Sequence, residues 1–372
     1  MDPSDRRRPI AWRHGLIAVL AAMALIAGAC GGDDDEPGAA SPSASEPTGT
    51  EEPAEPADTE EPADAAEEPA AQETPTEVPA TPEPEAPATR IVEHGLGTTE
   101  VPGRAERIVV MDPGTILPTL LFLGQPVVAA PLPAEPFPSR LVSEEDLSAI
   151  TSVGLPDVSF ELIAASEPDL IIGFDLSLAD TYDQLSQIAP TVAVELDLND
   201  WRGNAERIGI AVGIEDEMAA ALADYDARVA QLQTDLGDTL DTEVSVVRAL
   251  GQLIRLHTRF HFAGQVLDDV GFARPEAQRT DDPEVRLVQI SLEELPQADG
   301  DVMFVFGAGS LGSLGGDEVS EVVQAILDHP LYPTLAVAQS DAVFVVDPLG
   351  WQQGGLPAAN LILDDLEEAF LS

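Results

Sequence analysis

Residues 214–236 read Ile-Glu-Asp-Glu-Met-Ala-Ala-Ala-Leu-Ala-Asp-Tyr-Asp-Ala-Arg-Val-Ala-Gln-Leu-Gln-Thr-Asp-Leu. The stretch has no Gly and no Pro and is rich in Ala. Its larger apolar residues fall at 218, 222, 225, 229, 232 and 236. Spacings of three and four place them on one face of a helix. Glu215, Asp216 and Glu217 lie in its first turn, where the helix dipole favours acids. At ~1.5 Å per residue the helix spans roughly 35 Å. It divides residues 90–372 into two halves of similar size. In both halves short β-branched runs alternate with helical patterns, as α/β units require.

The expected strands are 107–111, 127–130, 169–172, 191–194, 243–250, 302–306 and 342–346. Runs such as Leu170-Ile171-Ile172 are apolar without alternation, which suits strands covered on both faces of a parallel sheet. The expected helices between them are 116–123, 161–166, 179–188, 201–212, 263–270, 292–295 and 319–327. The fold class is therefore α/β, with two α/β lobes bridged by a single long α-helix and a ligand cleft between them. The lobes are assigned to 90–213 and 239–372 and the bridging helix to 214–238.

Outward from this domain the texture changes. Residues 31–89 carry 18 acids, 12 Pro, no basic residue and no aromatic one. Such a segment cannot bury enough apolar area to offset chain entropy, so a disordered linker is expected. Fully extended as polyproline II at ~3.1 Å per residue, it reaches roughly 180 Å. Residues 1–30 form an export signal: Arg6, Arg7, Arg8 and Arg13 precede a 15-residue apolar and small-residue run over 15–29. That run is short for a membrane span. It ends Ala27-Gly28-Ala29-Cys30, which resembles a bacterial lipobox, so Cys30 is expected to carry lipid on the extracytoplasmic face of the cell membrane. The Arg run leaves open general secretion or twin-arginine export. Cys30 is the only Cys of the chain, which excludes an intramolecular disulfide and a thiolate metal cluster.

The formal net charge is −51, and all 17 basic residues are Arg. Residues 90–372 alone hold 48 acids and 13 Arg, a net charge of −35. This field excludes nucleic acid as a partner. No Lys exists for a phosphate-binding loop, and no Gly-x-Ser-x-Gly elbow occurs. Gly307-Ala308-Gly309-Ser310-Leu311-Gly312 has nucleotide-loop spacing without its context, and a cleft-side loop is expected there. The chain thus reads as no enzyme.

Several stretches together resemble the substrate-binding lipoproteins of ATP-driven importers for ferric siderophores, haem and cobalamin. They include Arg107-Ile-Val-Val-Met-Asp112, Phe160-Glu-Leu-Ile-Ala-Ala-Ser-Glu-Pro-Asp169, Ile188-Ala-Pro-Thr-Val192, Phe262-Ala-Gly-Gln-Val-Leu-Asp-Asp-Val-Gly-Phe-Ala-Arg-Pro275, Ile290-Ser-Leu-Glu-Glu-Leu295 and the end from Trp351 to Leu366. The resemblance covers nearly all of 90–372. It implies a monomer that captures a ferric siderophore and presents it to an ABC permease dimer. A haem or cobalamin importer component is the alternative within the class. A surface-anchored hydrolase or an adhesion module is the alternative outside it.

The resemblance also implies that Glu161 and Glu293, each at the start of an expected helix, dock into Arg pockets of the permease; Glu294 is the neighbour to distinguish. It places the second-lobe cleft wall around 248–261. An anionic ligand in a −35 domain must be met by Arg, and Arg248, Arg255 and Arg259 cluster there with His257. Residues 252–258 read as a return strand, with Arg255 and His257 on one face. His257 and His261 are then not expected to converge, and no metal site and no cofactor are expected. Phe174 and Tyr182 follow a strand end, where α/β proteins place ligands. Trp351, between glycines past the last strand, is expected as a cleft aromatic.

Overall fold

The computed structural model describes residues 88–133, 140–307 and 320–372. The signal segment with Cys30, the linker as far as residue 87 and most of the expected loop after Gly307 lie outside the described residues.

The first lobe holds β3 (Ile108–Val110), β4 (Val127–Ala130), β5 (Thr151–Ser152), β6 (Leu170–Phe174) and β7 (Thr191–Val194), in sheet order β5-β4-β3-β6-β7. All four pairings are parallel. Val109, Ile171 and Ala193 face one buried layer, while Ile108, Val110, Leu170 and Ile172 face the other. Burial on both sides explains why these strands read as continuous apolar runs.

The sequence reading did not contain the hairpin β1 (Thr89–His94) and β2 (Gly97–Pro102) that precedes this sheet. Only Val92 and Val101 of the hairpin are buried, so its apolar signal is one residue per strand. The expected helix 179–188 is two short pieces, Asp175–Leu178 and Tyr182–Leu185. The backbone leaves the helical path at Thr181, whose φ is −118°.

The second lobe holds β8 (Val244–Leu250), β9 (Leu253–His257), β10 (Leu287–Ser291), β11 (Val302–Gly307) and β12 (Val343–Val345), in order β10-β9-β8-β11-β12. β8, β11 and β12 are parallel, and β9 and β10 return antiparallel.

The bridging helix runs Glu215–Leu236, and Met218, Leu222, Tyr225, Val229, Leu232 and Leu236 are all buried. The preceding helix, Trp201–Val212, ends at Gly213 with φ +80°. A Cβ there would stand 2.3 Å from the Gly103 carbonyl oxygen, so only glycine permits the sharp turn into the bridge. The bridge packs beside the C-terminal helix Leu356–Leu371, and Arg228 pairs with its Asp364 at 2.5 Å and Glu367 at 3.0 Å. One continuous apolar core joins Ile108 and Ile172 of the first lobe, Leu222 of the bridge, Phe304 of the second lobe and Leu363 of the C-terminal helix. An apolar core shared by both lobes opposes wide opening between them.

Candidate ligand cleft

The carboxyl ends of β3, β6 and β7 point toward the second lobe and leave a cavity of about 150 Å³ between the lobes. Asp112, Phe174, Leu196 and Trp201 line it from the first lobe, and Phe262, Arg286 and the 352–355 turn from the second. Ligands of α/β proteins bind at this edge of the sheet. Asp112 accepts backbone N–H groups from Thr115 at 2.7 Å and Ile116 at 2.8 Å, which orders the turn under the cavity. Burial raises its carboxyl above the usual range against those bonds.

In the second lobe the β8–β9 hairpin sets Arg248 directly opposite Arg255. Like charges in that position destabilise a strand pair. Among the described residues neither guanidinium has a hydrogen bond or ion pair, whereas each of the other Arg of 90–372 has at least one. The Arg248 Nε is buried without a partner. Burial, and then Arg255, lowers the pKa of Arg248. Arg286 donates only to the carbonyls of Phe260 and Leu198, both at 3.1 Å, and so ties one lobe to the other without neutralising its charge.

Behind these three Arg lie His257 and His261, both buried. Their ring centroids are 3.7 Å apart, and Phe306 packs edge-on to His257 at 5.4 Å. The expectation that the two His would not converge is corrected. A turn with the His261 N–H on the Thr258 carbonyl at 3.1 Å folds the chain back after the strand. Both nitrogens of His257 and the Nδ1 of His261 lack partners. Desolvation, then His261 and the surrounding Arg, holds His257 neutral well below the ordinary range. Desolvation, with Arg286, Arg248 and Arg255, pushes His261 down to about 3. Among the described residues no group of three or more His, Cys, Asp or Glu is placed to hold a metal.

The remaining expected site residues divide. Phe174 lines the cavity. Arg259 turns away and pairs with Asp268 at 2.5 Å, so of the three clustered Arg it is the one taken by a local acid. Tyr182 lies instead against the hairpin, its hydroxyl 3.2 Å from Thr99 Oγ1 and 3.3 Å from His94 Nε2. Trp351 is corrected from cleft wall to core. It is fully buried, stacks on Phe304 at 4.6 Å and donates its indole N–H to Asp365 at 2.8 Å. Pro348 and the Asp347 cap start a short helix there, so the glycine-flanked Trp is not in a loop. The sequence reading missed Trp201, Phe262 and Arg286 as cavity residues. The first two sit at helix starts with core-like spacing, and Arg286 follows a polar loop with no pattern to mark it.

Glu161 is exposed in the first turn of Phe160–Ala165, where Ser159 donates to it at 3.1 Å. Glu293 is exposed in the first turn of Leu292–Ala298. Its neighbour Glu294 is occupied by a capping box, accepting the Ser291 backbone N–H at 3.0 Å and hydroxyl at 3.1 Å. Of the adjacent pair, Glu293 is therefore the carboxylate with no structural task.

The sequence profile described as Periplasmic binding protein matches residues 124–348. The chain belongs to the periplasmic binding protein family. Among periplasmic binding proteins it is similar to the probable siderophore-binding lipoprotein YfiY of Bacillus subtilis, with 34% identity over 291 residues, 76% of this chain and 88% of that one. It is also similar to the achromobactin-binding periplasmic protein of Dickeya dadantii, with 28% identity over 226 residues, 59% of this chain and 72% of that one. Staphylococcus aureus SirA, solved in complex with staphyloferrin B, superposes with a TM-score of 0.61 at 27% identity, covering 76% of this chain and 98% of that one.

Proposed function

We propose that this chain is an extracytoplasmic binding lipoprotein that captures an anionic ferric siderophore complex between its lobes and hands it to an ABC permease. The observation that carries the reading is the Arg248–Arg255 pair. Two guanidiniums stand opposite each other on the β8–β9 hairpin, in a domain of 48 acids, with no ion pair to either among the described residues, and both act on the same His261 as the cavity residue Arg286. A fold that leaves these two unpaired while acids hold so many others keeps them for an anion from outside. Arg286 adds a third cation, and Phe174, Trp201 and Phe262 supply apolar surface for the body of the ligand. A relative whose name declares siderophore binding supports the same reading.

In this reading Cys30 carries the lipid, the acidic segment is the spacer, and the protein acts as a monomer. A panel of ferric siderophores, haem and cobalamin tests it. Anionic ferric complexes should raise the melting temperature as RT ln(1 + [L]/Kd) and quench the fluorescence of Trp201. No response to any ferric complex would refute the reading, and a response to haem or cobalamin alone would replace it.

Glu161 and Glu293 stand on separate lobes as exposed carboxylates able to take a bidentate guanidinium. We assign them to docking on the permease dimer. Glu161→Ala with Glu293→Ala should leave the Kd for the ferric complex within about two-fold and reduce iron uptake by cells at least ten-fold, the scale of 1.4 kcal/mol or more. Loss of ligand affinity in that variant would contradict the docking role.

A further inference from the structure

A second guanidinium cluster stands apart from the inter-lobe cavity. Arg259, Arg274 and Arg279, with Asp268, Thr280 and Asp281, line a cavity of about 330 Å³ beside the helix Phe262–Val270. Two of the three cations are compensated. Arg259 pairs with Asp268 at 2.5 Å, and Arg279 pairs with Glu243 at 2.7 Å. Arg274 is different. It is 6% exposed, and its Nη2 donates to the His257 carbonyl at 2.6 Å and to Gln278 Oε1 at 2.5 Å. Its Nε and Nη1 have no partner, and no carboxylate forms an ion pair with it among the described residues.

The nearby acid Asp268 acts on Arg274 but is already paired with Arg259; a buried cation without an ion-pair partner of its own is costly, and native proteins seldom leave buried donors unmade. The guanidinium fork matches the oxygen spacing of a carboxylate, phosphate or sulfate group. The only acid of the wall left without an ion pair is Asp281, which is exposed. It would oppose an excess of negative charge and restricts the cavity to one anionic group. We infer that this cavity is a second binding site, for a single small oxyanion held by Arg274 with Arg259 and Arg279, and that it works independently of the siderophore cleft.

The test uses the full chain carrying Arg248→Gln and Arg255→Gln, so that the cleft pair does not contribute. Melting temperature is followed against sodium sulfate, phosphate and acetate, with sodium chloride at matched ionic strength as the control. A saturable rise above the chloride curve is expected, and comparison of the three salts separates a tetrahedral anion from a carboxylate. Adding Arg274→Gln should weaken that response at least ten-fold. Because Arg274 is buried and its replacement can unfold the lobe, Arg279→Gln at the cavity wall is the second variant, expected to weaken it at least three-fold. Crystals soaked in selenate should show an anomalous peak within hydrogen-bond distance of Arg274. A sulfate response unchanged by Arg279→Gln, or selenate density absent from this cavity, would overturn the assignment.

Discussion

Replacing Arg248 and Arg255 together by Gln is expected to abolish tight capture of an anionic ferric siderophore while leaving the second lobe at least as stable as before. The two halves of this expectation have separate causes. A charge-assisted hydrogen bond contributes about 1.5–3 kcal/mol, so loss of two costs about 3–6 kcal/mol of binding. That corresponds to roughly 10²–10⁴-fold in Kd. In the unliganded protein the same pair repels, being directly opposite on adjacent strands, with no ion pair to either guanidinium among the described residues. Removing like charges from such a pair returns about 0.2–1 kcal/mol.

Binding and stability should thus move in opposite directions, which a residue needed merely for folding would not do. The Trp201 fluorescence titration and the melting curve of the unliganded protein read the two effects. Arg259→Gln is the control: its ion pair with Asp268 is half-exposed, and its loss should leave ferric-complex affinity within about three-fold. A double variant that binds anionic complexes unimpaired, or that loses neutral and anionic ligands equally, would remove the charge role of the pair.

What could be read from the chain and what could not follows from the range of the interactions involved. The bridging helix was legible because its six apolar positions are set by local periodicity, and each is buried in the structure. The parallel strands were legible because burial on both faces leaves an uninterrupted apolar run. Arg248 facing Arg255 was within reach of the same logic. β8 ends at Leu250, β9 starts at Leu253, and Gly251 with φ +76° closes a two-residue turn, so the register follows by counting inward.

The Trp351 environment was not legible. Its burial depends on Asp365 accepting the indole N–H and on Phe304 in a distant strand, and neither contact leaves a local mark. Arg286 was missed for the same reason: the carbonyls that hold it belong to residues 26 and 88 positions away. Periodicity and turn chemistry carry elements and short-range register. Long-range docking of the two lobes decides which side chains meet in the cleft.

Acid should destabilise this protein through His257 and His261, and the effect should be large. In the unfolded chain both imidazoles take up protons near their ordinary pKa of about 6.5. In the folded state desolvation and the facing cations Arg248, Arg255, Arg274 and Arg286 hold His261 down to about 3 and His257 well below its ordinary value. Between those limits the unfolded state binds more protons, so stability falls as pH falls and is recovered fully only above about pH 6.5. The slope is up to about 1.4 kcal/mol per pH unit for each His. From pH 6.5, where the unfolded imidazoles are half protonated, to pH 5 the two together cost about 3 kcal/mol, which at about 2–4 °C per kcal/mol lowers the melting temperature by roughly 6–12 °C.

Acidic groups act in the other direction. Burial raises Asp112, Asp269 and Asp365, and the net charge of −35 is partly relieved in acid, so the raw profile is a sum. The difference between wild type and His257→Phe with His261→Phe isolates the imidazoles. Neither nitrogen of His257 has a partner to lose, so the Phe variant should be about as stable as wild type at pH 7.5 and clearly more stable at pH 5. A bound anionic ferric complex should flatten the wild-type slope by favouring the protonated imidazoles, and proton uptake on binding would appear as a buffer-dependent heat. Parallel melting profiles for wild type and the double Phe variant from pH 7.5 to pH 5 would show that the buried pair does not carry the acid response.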